Sequence, residues 1–104
     1  MLLMELEWLG FEWDEAKNGW TLDVRGFDFV FASFIFSGPV LLRADDRRDY
    51  GEARWIATGA IEGVTLTVVY TVRPVEICRI ISARRASREE REAYREALAG
   101  RSGA

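Results

Sequence analysis

Residues 79–94, RIISARRASREEREAY, change hydrophobic period and charge within a few positions, and their reading decides the fold. Ile77, Ile80 and Ile81 are apolar and β-branched, as an inner sheet strand requires, and the chain then turns Arg-rich before Ser87 opens a helix. Ser87 with Glu90 three residues on is a capping box, in which the hydroxyl takes a free N–H of the first turn and the carboxylate reaches back to the Ser87 amide. Arg79, Arg84, Arg85 and Arg88 gather at this expected strand-to-helix junction, beside the orphan N–H groups of the helix start. Two readings are open: a phosphate site, or a solvated Arg-rich face partly neutralised by Glu89, Glu90 and Glu92.

The chain has 104 residues, 49% of them apolar, which suits one domain, residues 1–104, with one core. Its net charge of −3 is unevenly spread. Residues 1–78 hold seven Lys/Arg against thirteen Asp/Glu, and residues 79–104 hold seven against four. An acidic body of this kind does not coat nucleic acid indiscriminately, so RNA or DNA contact is expected only at the arginine cluster. There is no His, and Cys78 is the one cysteine, set in an apolar strand run. Disulfide frameworks, thiolate or imidazole metal sites and Ser/His or Cys/His nucleophile pairs are thereby excluded, Cys78 is expected to be a buried structural thiol, and no cofactor is called for. The opening MLLMELEWLG has no positive start and is interrupted by Glu5 and Glu7, so no signal peptide or membrane span is expected, and the cytoplasm is the expected location.

Leu3 to Trp13 alternates loosely and reads as an edge or entry strand. Asp14 offers an N-cap, Ala16, Trp20 and Val24 place an apolar stripe on one face, and Gly26 supplies a left-handed stop, predicting a helix over 14–25. Phe27 to Phe36 fits two periods. Phe27, Phe29 and Phe31 alternate, whereas Phe27, Val30, Phe31, Phe34 and Ile35 fall at helical intervals with Asp28 as cap, so a helix over 28–36 is expected, packing on the sheet. Val40 to Leu42, Ala53 to Ile61, Val64 to Val72 and Val75 to Ser82 then read as four strands of an antiparallel meander, with Glu62-Gly63 as a tight hairpin. The expected fold is α+β, with two N-terminal helices on a roughly four-stranded antiparallel sheet, a C-terminal helix from Ser87 to Leu98, and a frayed tail from about residue 99.

Three ordered stretches, FEWDEAKN (11–18), RDYGEARWIATG (48–59) and RIISARRASREEREAY (79–94), resemble the BrnT toxins, small bacterial ribonucleases of type II toxin–antitoxin pairs with a RelE-like fold. The resemblance runs from Phe11 to Tyr94. It implies RNA cleavage without a metal, neutralisation by a cognate BrnA-like antitoxin, and a toxin–antitoxin hetero-oligomer built on the antitoxin's own dimer. It also implies roles for Lys17, Arg54 and Arg84, one from each motif. After the first motif the family continues with Asn, Lys, His and Gly, where this chain has Thr21, Val24, Arg25 and Gly26, so Arg25 stands at the His position.

Attack by the RNA 2′-hydroxyl needs a base, stabilisation of the pentacoordinate phosphate and an acid for the leaving oxygen. Without His, Asp14 or Glu52 is left as the base and Lys17 as the acid, each needing a pKa moved toward neutrality. Arg54, Arg79 and Arg84 suit the phosphate, because a guanidinium fork binds its oxygens bidentately and stays charged. Arg25, Arg79, Arg85 and Arg88 are the expected RNA-binding residues. Two functions stand side by side: a metal-independent ribonuclease toxin, and a catalytically weak or inactive relative acting as an antitoxin-binding or RNA-binding module.

Overall fold

A computed structural model describes residues 1–102. The strands are β1 (Leu2–Met4), β2 (Gly10–Trp13), β3 (Val40–Ala44), β4 (Trp55–Ile61), β5 (Val64–Arg73) and β6 (Ile77–Arg85), and the helices are α1 (Glu15–Arg25), α2 (Phe29–Ser33) and α3 (Arg88–Ser102). The sheet order is β1-β3-β4-β5-β6-β2. The expected meander forms its centre, from β3 to β6, but the sheet has six strands rather than four and is mixed rather than wholly antiparallel. Leu3 to Trp13, read as one strand, splits: β1 pairs antiparallel with β3 at one edge, and β2 pairs parallel with β6 at the other. Intervening residues carry the chain across the sheet, and Trp8 packs edge-on against Phe36 and Tyr70 on the way.

Local signals set the helix ends. Asp14 caps α1, its carboxylate accepting from the Ala16 amide, and Gly26 closes it at φ +82, a conformation costly for any residue with a Cβ. Asp28 caps α2 through the Phe31 amide at 2.9 Å. The expected 28–36 helix tightens after Ser33 into a 3₁₀ turn over Phe34–Ser37. That turn lies close on β4, where a Cβ at Gly59 would stand 3.0 Å from both Ile35 Cβ and Val40 Cγ1. The capping box forms as expected: Glu90 N donates to Ser87 Oγ at 3.2 Å and Ser87 N to Glu90 Oε1 at 2.8 Å. Helix α3 continues past Leu98 to Ser102, through the residues expected to fray, and Arg101 pairs with Glu5 at 2.8 Å. Residues 103–104 of the expected tail lie outside the described residues.

The buried faces differ from the sequence reading in two places. In 28–36 the core takes Phe29, Ala32, Ile35 and Phe36, while Val30 and Phe34 stay about half exposed, so the segment is helical but turned from the expected stripe. In α1 the buried residue is Thr21, which satisfies its hydroxyl on the Lys17 carbonyl at 2.8 Å; the Trp20–Val24 stripe faces outward. One sheet face meets α1 and α2 through Ala57, Leu66, Val68, Tyr70 and Ile80. The other, carrying Leu41, Arg43 and Thr58, meets α3, whose Tyr94 hydroxyl donates to the Pro39 carbonyl at 2.7 Å. Cys78 is fully buried, and burial pushes its thiol up to about 12, as an inert core residue requires.

Candidate functional site

Register places the charged groups. Thr71 pairs with Arg79 and Arg73 with Ile77 across β5 and β6, and Glu12 of β2 pairs with Arg79 from the other side. Paired residues share a sheet face and alternate ones do too, so Glu12, Arg73 and Arg79 project together. A bulge then intervenes. Tyr70 opposes Ile80 but Val69 opposes Ser82, which leaves Ile81 unpaired. Strand β2 has ended by this point, and the bare edge of β6 is met by α1 side chains: Lys17 Nζ donates to the Ile81 carbonyl at 3.5 Å and Arg25 Nη1 to the Ala83 carbonyl at 2.7 Å.

The connection from β3 to β4 closes the far wall. Buried Asp45 accepts two bonds from Arg47, at 2.7 and 2.8 Å, and these hold its carboxyl down at about 2. The Asp45 amide donates to the Arg54 carbonyl at 2.8 Å, and buried Thr71 donates to the Ala53 carbonyl at 2.7 Å. Glu52 and Arg54 are thereby fixed beside the β5–β6 pair. The Arg54 guanidinium also lies 4.1 Å from the centre of the Tyr50 ring.

These elements enclose a cleft of about 290 Å³ lined by Asp14, Lys17, Glu52, Arg54, Arg73, Arg79, Ile80 and Ile81. Its four cations face Glu52 from within and Glu12 from the rim. Glu52 accepts from Arg54 Nε at 3.1 Å and Arg73 Nη1 at 3.2 Å, and Glu12 lies 3.4 Å from Arg79 Nη1 and 3.9 Å from Arg73 Nε. Arginine forks held by carboxylates at the rim of an open cleft present donors of the kind a phosphate takes, since carboxylate and phosphate oxygens accept from a guanidinium in the same two-pronged way. Proton transfer is less well served. The hydrogen bond from Arg54, with further attraction from Arg73, lowers the Glu52 carboxyl from its ordinary value, away from the neutrality a general base needs. Asp14 is engaged at the start of α1, its Oδ1 accepting from the Ala16 amide at 3.4 Å.

Of the residues singled out by sequence, Lys17, Arg54, Asp14, Glu52 and Arg79 come together here. Arg84, Arg85 and Arg88 do not line the cleft. The expected cluster at the end of β6 is separated because Arg79 and Arg84 sit toward opposite ends of one strand, roughly 15 Å apart at the usual rise per residue. Arg84 instead makes a two-pronged pair with Glu90, at 2.6 and 3.0 Å. Arg43 adds a contact to the same carboxylate at 3.6 Å. Burial pushes the Glu90 carboxyl up, but the Arg84 fork and the Ser87 amide outweigh it and set it at about 2. Arg85 borders a separate hollow with Phe27, Phe31 and Val64, and Arg88 pairs with Glu92 at 3.2 Å on the surface of α3. Arg25 lies beside the cleft, in a hollow that shares Lys17 and Ile81 with it.

Sequence reasoning does not reach Arg73, Glu12 or Tyr50. Arg73 reads in sequence as the end of a strand before Pro74, and Tyr50 as part of the charged connection DDRRDY. A period-2 count from Thr71 to Arg73, set against Arg79 across the turn, is the signal that could have found Arg73.

Residues 13–90 match the family of ribonuclease toxins, BrnT, of type II toxin–antitoxin systems. Among solved structures, the chain is similar to the Brucella abortus ribonuclease toxin, BrnT, with a TM-score of 0.55 and 24% identity, covering 76% of this chain and 97% of that one. At that identity the likeness bears on the fold. No curated protein matches the sequence.

Proposed function

The chain belongs to the BrnT family of ribonuclease toxins of type II toxin–antitoxin systems, and from that premise we propose that it cuts RNA at the Lys17–Arg54–Arg73–Arg79 cleft, without a metal ion. The convergence of four cations from α1, the β3–β4 connection, β5 and β6 on one cleft carries this reading. The scissile phosphate sits among Arg54, Arg73 and Arg79, displacing the Glu52 and Glu12 carboxylates from their forks. The 2′-hydroxyl attacks phosphorus as its proton passes to solvent water, the bond from phosphorus to the 5′-oxygen breaks to leave a 2′,3′-cyclic phosphate, and charge on the pentacoordinate phosphate is neutralised by guanidinium groups already aimed at it, commonly the dominant source of rate enhancement in such chemistry. Lys17, whose long bond to the Ile81 carbonyl is easily exchanged, reaches the leaving oxygen. Glu52 orients Arg54 and Arg73 rather than taking the proton, because its carboxyl is stabilised as the anion. Arg84 acts outside the site by fastening α3. Among the described residues no three His, Cys, Asp or Glu side chains gather to hold a metal.

A type II family implies an antitoxin, and we take this one to be BrnA-like, forming a hetero-oligomer with the toxin in the cytoplasm. Among the described residues no helix is long and apolar enough to cross a membrane. We also group the fold with RelE-like toxins, on the β3–β6 meander flanked by helices on its two faces. The binding-module alternative draws support from two observations: Glu52 is shifted the wrong way for a base, and Arg25, at the family's His position, is occupied by the Ala83 carbonyl.

The deciding experiment is cleavage of end-labelled RNA by the purified chain with EDTA present. Arg54→Ala and Arg79→Ala should each lower the rate on the order of a hundredfold with the fold retained, as for loss of an oriented charge-stabilising donor. A wild-type chain that binds RNA or antitoxin yet leaves RNA intact would establish the binding module instead.

A further inference from the structure

Helix α1 carries an apolar stripe that the core does not use. Trp20 is 52% exposed and Val24 61%, while the helix buries Thr21. The indole is held in a defined setting all the same. The Arg25 guanidinium stands 4.9 Å from its ring centre, and Arg25 is itself tied to the Ala83 carbonyl at 2.7 Å. Lys17, Trp20, Thr21, Arg25, Ile81 and Ser82 enclose a hollow of about 210 Å³, and Lys17 and Ile81 are also walls of the cationic cleft. A flat π surface with a guanidinium against it, next to a receptor for phosphate, has the layout of a nucleotide: phosphate in the cleft, base on the shelf. The hollow is smaller than sites that enclose whole drug-sized ligands, as a subsite for one ring system should be. The two cations within it favour an anionic polymer over an apolar protein segment.

Resting on the ribonuclease reading, we propose that Trp20 and Arg25 form a stacking subsite for the base next to the phosphate bound by Lys17, Arg54 and Arg79, so that the protein selects unpaired RNA. A base inside a duplex has both faces covered by its neighbours and has none to offer the indole. Sequence tolerance follows as well, since every base has a π face.

Binding can be read apart from cleavage with a fluorescein-labelled single-stranded 2′-O-methyl oligoribonucleotide, which lacks the free hydroxyl needed for self-attack. Trp20→Ala should weaken its anisotropy-measured affinity roughly tenfold, Trp20→Phe should recover most of the loss, and a duplex probe should be insensitive to both. The salt dependence of affinity should keep its slope in Trp20→Ala and flatten in Arg54→Ala, because only the second removes a phosphate contact. With a probe made abasic at each interior position in turn, the Trp20→Ala penalty should vanish at one position. Equal affinity of Trp20→Ala and wild type, alongside a loss in Arg54→Ala, would overturn the subsite and leave the RNA reading in place. Loss of antitoxin co-elution in Trp20→Ala with RNA affinity intact would assign the stripe to the protein partner and overturn it too. Trp20-dependent binding by a chain that cuts no RNA would uphold the subsite and sink the ribonuclease reading.

Discussion

Arg25 donates from Nη1 to the Ala83 carbonyl at 2.7 Å, at a stretch of β6 that β2 no longer covers. Arg25, which the resemblance sets at a His position, therefore seals a sheet edge, whatever it does for RNA. Restoring the family pair by Val24→Lys with Arg25→His should raise RNA cleavage, because an imidazole exchanges protons near neutrality and a guanidinium does not. It should also lower stability by about 1 kcal/mol, since the shorter ring gives up the Ala83 bond. Val24 is largely exposed, so its half of the change should be neutral for folding. Denaturant unfolding of the two single variants separates these effects, and a stability loss located at Val24→Lys would contradict the assignment.

Glu90 predicts the response to acid. Its folded carboxyl, at about 2, lies below the ordinary value of 4.5, so the group contributes stability above that ordinary value and loses it as pH falls toward 2. Melting temperature should hold steady from pH 7 to about 5 and then fall. Glu90→Gln should flatten part of that fall, while lowering stability at pH 7 by about 1 kcal/mol after allowance for solvent screening. Arg84→Ala should show the same flattening with cleavage per folded molecule unchanged. A rate loss in Arg84→Ala at full stability would return Arg84 to the chemistry.

At Gly59 the 3₁₀ turn packs close on β4. A methyl group there meets Ile35 Cβ and Val40 Cγ1 at 3.0 Å, and neither is the free end of a flexible chain. Gly59→Ala should cost about 1–3 kcal/mol by overpacking. Val40→Ala in the same chain should recover part of that loss, a coupling that a double-mutant cycle of unfolding free energies would measure.

Local chemistry is legible in the sequence, and so is the central pairing. Asp14, Asp28, Ser87 with Glu90, and Gly26 mark ends that the structure keeps, because a cap depends on neighbours within four residues. The Glu62-Gly63 turn, with both residues at positive φ, fixes the β4–β5 register through Ile61 and Val64. Long-range choices are hidden. Nothing local makes β2 join β6 in parallel, and the Ile81 bulge, which resets the face of every later β6 residue, leaves no mark in an arginine-rich run. Arg84 reads as part of a phosphate cluster because the roughly 15 Å of strand that parts it from Arg79 does not show in a run of neighbouring arginines. The stripe of Trp20 and Val24 is legible as a stripe, but periodicity does not say whether core or solvent receives it.

The carboxylates of the cleft yield a further contrast. Glu12 reaches Arg79 at 3.4 Å and Arg73 at 3.9 Å, and Glu52 reaches Arg73 at 3.2 Å, so each anion occupies donors that a phosphate would use. Their roles should nevertheless diverge. Glu52 also orients Arg54, so Glu52→Gln should loosen that fork and lower cleavage. Glu12 lies on the outer strand and is not among the residues lining the cleft, so Glu12→Gln removes a competitor without unseating Arg54. RNA affinity should then rise several-fold at low salt, and the gain should shrink as salt is added, because the repulsion removed is electrostatic and screened over about 10 Å at 0.1 M. Measuring affinity for one RNA across a salt series in wild type, Glu12→Gln and Glu52→Gln distinguishes the cases. Weaker binding in Glu12→Gln at every salt concentration would mean that Glu12 holds Arg73 and Arg79 in their working positions rather than competing for them.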